Sequence, residues 1–119
     1  MITFTEAQLA KIARIKTLDT PFCYEGLKVF IDINKEEVEN FETLDGNPVY
    51  NWFYSYTDET EETVESDIFM SLEELLVELV VEEATNWHEF QLVMENWIKL
   101  PDKTDEEILD IILSDILKD

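Results

Sequence analysis

Cys23 and His88 are the chain's only cysteine and only histidine, and that scarcity removes most of the chemistry open to a small protein. A thiolate–imidazole pair is formally available. Cys23, however, falls in the apolar stretch "PFCYEGLKVFIDI", where a lone cysteine is expected to be a small buried hydrophobe. His88 is expected in the first turn of a helix, packed locally or solvated. A histidine–cysteine metal cluster would need two carboxylates to complete it, and no spacing fixes which. Gly26 and Gly46 are the only glycines, so there is no glycine-rich loop to cradle a phosphate.

Carboxylates are the one reactive type in excess. Two of them at a glycosidase separation would carry no information, because chance supplies such pairs in a chain this acidic. Calcium is the sharper possibility. Asp32-Ile33-Asn34-Lys35-Glu36 opens like a calcium loop, but Glu37 stands where the turn needs glycine and Thr43 where a bidentate Glu belongs. The stretch from Asp58 to Glu65 lacks both the central glycine and the Asp/Asn spacing. The sequence therefore points to a protein without enzymatic activity, cofactor or dedicated metal site.

The distribution of charge says more than its sum. The net charge is −21 over 119 residues, yet residues 1–35 hold five basic groups against four acidic ones. Between Lys35 and Lys99 there is no Lys or Arg, while 18 carboxylates fall in that interval. General acidification for solubility would not spare one segment. A field of this sign repels nucleic acid and anionic membrane and attracts basic surfaces. The densest run is "YTDETEETVESD", with Asp58, Glu59, Glu61, Glu62 and Glu65 as candidate electrostatic contacts. Just before it, "VYNWFYSYT" puts Tyr50, Trp52, Tyr54 and Tyr56 on one face of a strand. That face is expected either to be core or to leave Tyr54 or Tyr56 exposed as an anchor, since tyrosine is enriched at binding hot spots.

Capping signals set out the elements that position these residues. Thr5-Glu6-Ala7-Gln8, Ser71-Leu72-Glu73-Glu74 and Thr104-Asp105-Glu106-Glu107 are capping boxes, the first two flanked by the staple pairs Phe4/Leu9 and Met70/Leu75. A further helix start is expected at Asn86–Glu89, with Trp87, Phe90, Met94, Trp97 and Ile98 on one side. Pro21–Ile33 and Pro48–Thr57 read as strands, and "LDGNP" as a turn. Phe41–Leu44 is a candidate strand before that turn. The expected fold is α+β over residues 1–119 as a single acidic globular domain: an N-terminal helix, a small antiparallel sheet of two or three strands, then three helices on one sheet face. The likeness between 71–80 and 104–113 follows from cap plus amphipathic helix and needs no repeat.

In size, charge and coarse fold the chain resembles acidic inhibitors that mimic nucleic acid, such as phage proteins that block restriction or CRISPR effectors. It also resembles immunity proteins that neutralise nuclease toxins. No motif is shared, so no site residues carry over. The resemblance implies an inhibitor of a basic, nucleic-acid-binding enzyme that itself touches neither nucleic acid nor membrane. The alternative is an accessory or adaptor subunit held through the aromatic strand or an apolar helix face. Apolar runs far shorter than a bilayer span, and a start without a basic, apolar leader, set the expected place in the cytoplasm.

Overall fold

The computed structural model describes residues 2–42 and 44–118. Their order is α1 (Glu6–Lys16), β1 (Phe22–Glu25), β2 (Phe30–Glu42), β3 (Pro48–Thr57), β4 (Thr63–Glu65), α2 (Leu72–Met94) and α3 (Asp105–Leu117). The helices start where the hydroxyls are. Thr5 Oγ1 accepts from the Gln8 N–H at 3.1 Å, and Gln8 Oε1 accepts from the Thr5 N–H at 2.9 Å, which closes a capping box. Thr104 and Glu107 close another at the head of α3. Ser71 caps α2 by accepting from the Glu74 N–H at 3.2 Å. The staple expected beside it does not form, because Met70 is 80% exposed while Leu75 is fully buried.

The α+β class holds, and its details need three corrections. The sheet has four strands, all antiparallel, in the order β1-β2-β3-β4. Pro21–Ile33 is two strands rather than one, folded back by a turn in which the Gly26 N–H donates to the Val29 carbonyl at 3.0 Å. Two helices, not three, follow the sheet. Asn86–Glu89 lies inside α2, which runs 23 residues without a glycine or proline to stop it. His88 is therefore an exposed mid-helix residue. The strand expected at Phe41–Leu44 is the end of β2, reaching Glu42 with a register shift between Glu37 and Glu42; Thr43 lies outside the described residues.

The helices cover one face of the sheet. Side chains alternate across a strand, and only one set is buried: Tyr24 on β1, Ile31 and Ile33 on β2, Trp52 and Tyr54 on β3. They meet Ile12 and Ile15 of α1, the Leu72–Val80 stripe of α2, and Ile108, Leu109, Ile112, Leu113 and Ile116 of α3 in one cluster. Cys23 points to the open face and is exposed, contrary to the expectation of burial. Its thiol pKa is raised by partial desolvation and then by Asp32 and Asp115, which suppresses the nucleophilic thiolate.

Among the described residues, ion pairs and a stacked lysine tie the layers. Lys16 at the end of α1 pairs with Glu73 at the start of α2. Burial pushes the Glu73 carboxyl upward, but Lys16, the backbone at the helix start and Ser71 together outweigh it and the pKa settles below the usual value. Lys28 pairs with Glu89. Lys35 Nζ lies 4.8 Å from the Tyr50 ring and 5.6 Å from Trp52 while donating to the Lys16 carbonyl.

The molecule measures 56 × 38 × 25 Å, and its radius of gyration is 15.8 Å. Ordinary packing of this length gives about 13–14 Å. The excess comes from two projections. Beyond Lys35 and Tyr50 the β2–β3 arm buries no described side chain, and α2 buries nothing after Glu83.

Candidate functional site

The acidic run 58–67 is an ordered hairpin and return strand. Asp58 organises its tip: Oδ1 accepts from the Thr60 N–H at 2.9 Å, the Thr60 hydroxyl at 2.7 Å and the Glu62 N–H at 3.0 Å. The backbone closes with Asp58 N–H to Glu62 O at 2.9 Å and Glu61 N–H to Asp58 O at 3.1 Å, and Glu61 sits at φ 65°. These bonds make the three-residue hairpin loop in which a left-handed residue follows a tight turn. The donors hold the Asp58 carboxyl below the usual carboxylate range, the Thr60 hydroxyl most of all.

With Asp58 committed to the turn, Glu59, Glu61 and Glu62 are exposed at the tip and Glu65 on β4. The chain stays fastened to β3 after β4 ends. Ser66 N–H donates to Tyr54 O at 2.8 Å and Ser66 Oγ accepts from Tyr54 N–H at 2.9 Å. Phe69 then exchanges backbone bonds with Trp52 at 2.8 and 2.7 Å and stacks on Tyr54, with ring centroids 6.3 Å apart.

The aromatic face of β3 is the core side. Trp52 is 5% exposed and Tyr54 9%, so Tyr54 is a core residue and not a projecting anchor. Tyr56 is only partly covered and packs at the edge of the core. The Tyr54 hydroxyl is pushed up to about 12, by burial first and then by the charges of Glu78, Glu82, Tyr56 and Asp67. Carboxylates of α2 and of the strand return thus converge on one tyrosine. Tyr54, Tyr56 and Glu82 share a cleft of about 280 Å³.

A second feature lies under the β1–β2 turn. Glu83 is 5% exposed. Its Oε2 accepts from the Leu27 N–H at 3.2 Å and its Oε1 from Asn86 Nδ2 at 3.4 Å. Burial and then Glu83 drive the Tyr24 phenol far above its ordinary value. Gly26 allows the close approach, since a Cβ there would sit 2.7 Å from Val29 O and 2.9 Å from Glu83 Oε1. Beside Glu83 opens a cavity of about 400 Å³ lined by Tyr24, Trp87, Lys103, Ile108 and Ile111 among others. The sequence did carry a signal for it. Leu72, Leu76, Leu79, Glu83 and Trp87 recur at three- and four-residue steps, so Glu83 occupies a core phase of the helix.

Among the described residues, no three His, Cys, Asp or Glu side chains are placed to hold a metal ion. No helix among them is long and apolar enough to cross a membrane. Compared with known proteins, the chain matches no family model, no curated protein and no solved structure. Fold and surface define an acidic α+β protein with an ordered, carboxylate-rich hairpin on one sheet edge.

Proposed function

We propose that this is a non-enzymatic protein that binds and inhibits a basic, nucleic-acid-handling partner, presenting carboxylates where the partner's substrate presents phosphates. The supporting observation is that the hairpin carboxylates are held in order: one acid, Asp58, spends its hydrogen bonds on the turn so that Glu59, Glu61, Glu62 and Glu65 stand outward. A fixed array lowers the ordering cost of binding, and its field speeds encounter with a cationic cleft. Tyr56, partly covered beside Glu82, supplies amphipathic contact next to the charges. A reduced, cytoplasmic setting accords with this reading.

The test is competition. The partner is captured from nuclease-treated lysate at low salt, and its nucleic-acid binding is then measured with and without this protein. Inhibition relieved by added duplex supports the reading, and binding without any effect on nucleic-acid binding rejects it. Replacing Glu59, Glu61, Glu62 and Glu65 by Gln, with Asp58 kept, should weaken the complex by about tenfold or more. Unchanged affinity in the folded variant removes the hairpin from the interface.

One observation favours the alternative, an accessory or adaptor subunit. At the far end of α2 and just beyond it, Leu92 is 53% exposed, Val93 70%, Trp97 85% and Ile98 54%, which is a concentration of apolar surface of the kind that marks contacts. A complex made there survives high salt, whereas one made through the carboxylates dissociates.

A further inference from the structure

We propose that the cavity under the β1–β2 turn receives one cationic side chain, lysine or arginine, from the basic partner. The inference deepens the inhibitor reading and rests on it. At about 400 Å³ the cavity lies within the range of ligand pockets, roughly 300–1,000 Å³. Its lining is amphipathic: Ile108 and Ile111 offer apolar wall for a methylene stem, and Trp87 an aromatic face for the charged head. Glu83 supplies the counter-charge, buried at 5% exposure. A carboxylate has about four acceptor sites, and the donors from Leu27 and Asn86 use two. The others are left for an incoming N–H.

The charges around the cavity select the sign of the occupant. Glu25 joins Glu83 in the lining, and Asp115, which accepts from the Glu25 N–H at 2.8 Å, also acts on the Tyr24 phenol. Among the described residues, Lys103 is the sole cation in that lining. Its Nζ lies 4.6 Å from the Trp87 ring centroid, so the chain's own lysine already occupies the position a guest cation would take. Lys103 is only partly covered and can swing into solvent as the guest enters.

The experiment titrates the intact protein alone with N-acetyl-arginine methylamide at low salt, against the neutral norleucine counterpart. The indole N–H signals of Trp87, Trp52 and Trp97 are followed by NMR. A saturable shift confined to Trp87 is expected with arginine and not with norleucine. Glu83→Gln should weaken it about tenfold, through loss of the charged acceptor. Ile111→Lys, at a position 47% exposed, should do the same by repulsion without touching the buried network, which covers the case in which Glu83→Gln does not fold. Lys103→Ala should tighten binding severalfold. Equal shifts with norleucine, parallel movement of Trp97, or folded variants that bind as before would overturn the assignment. Because the probe needs no partner, a positive titration with no inhibition of any captured enzyme keeps the cavity and discards the inhibitor reading. The reverse result discards the cavity alone.

Discussion

Two single residues show how closely the backbone is held at the candidate sites. Gly26 leaves no room for a side chain between Val29 O and Glu83 Oε1. Gly26→Ala must push the turn away from the buried carboxylate, and overpacking of this kind costs about 1–3 kcal/mol. Chemical denaturation should show that loss, together with faster exchange of the Leu27 amide that Glu83 holds. Glu61 presents the opposite case. It occupies the left-handed region at φ 65°, where a side chain is strained and glycine is not. Glu61→Gly should stabilise the protein by about 0.5–1 kcal/mol, even though it deletes a surface group. A lower denaturation midpoint would show that the turn needs the Glu61 side chain for some other reason.

At the scale of the element, the hairpin is a unit whose order depends on one titrating group. The folded pKa of Asp58 is depressed below its unfolded value. Its contribution is therefore present above the unfolded pKa, about 3.9, and lost as pH falls through the folded one. Amide protection at Thr60 and Glu62 should fall below about pH 4, and Asp58→Asn should reduce that protection at neutral pH as well. Retained protection at low pH would mean that the backbone bonds alone hold the tip. The distal half of α2 is a contrasting element. It buries nothing after Glu83 and is steadied by Gln91 Nε2 donating to Pro101 O and by Trp87 Nε1 donating to the same carbonyl, at 3.0 and 3.1 Å.

Over the whole molecule, a net charge of −21 acts against compactness. The acidic residues after position 35 are spread over the β2–β3 and β3–β4 hairpins and both later helices, so repulsion is general rather than local. Added monovalent salt should raise the melting temperature steadily up to a few hundred millimolar, while it weakens the proposed complex. These opposite responses separate what the charge does to the fold from what it does to a partner. A melting temperature indifferent to salt would show that the carboxylates are too far apart or too well solvated to repel.

Much of the architecture follows from local chemistry that needs no tertiary context. Hydroxyl caps at Thr5, Ser71 and Thr104 start helices because they satisfy free N–H groups wherever the chain lies, and alternation in "VYNWFYSYT" sets which side chains share a face. The long interval without a cation is likewise a property of composition alone. Other features depend on pairing. β4 is three residues of "TVE", too short and too polar to signal a strand, and exists because β3 offers it a partner across the Asp58 turn. The "EEVENFE" stretch lacks clean alternation and is extended because β3 pairs with it across a register shift. Only the folded chain could decide that Tyr54 lies inside and that Cys23 faces outward, since each depends on which face the helices cover. The same holds for Glu83: its place in the helical stripe is legible, but the backbone N–H that it holds comes from a turn 56 residues earlier. Contacts across such distances exist only once packing has brought the elements together.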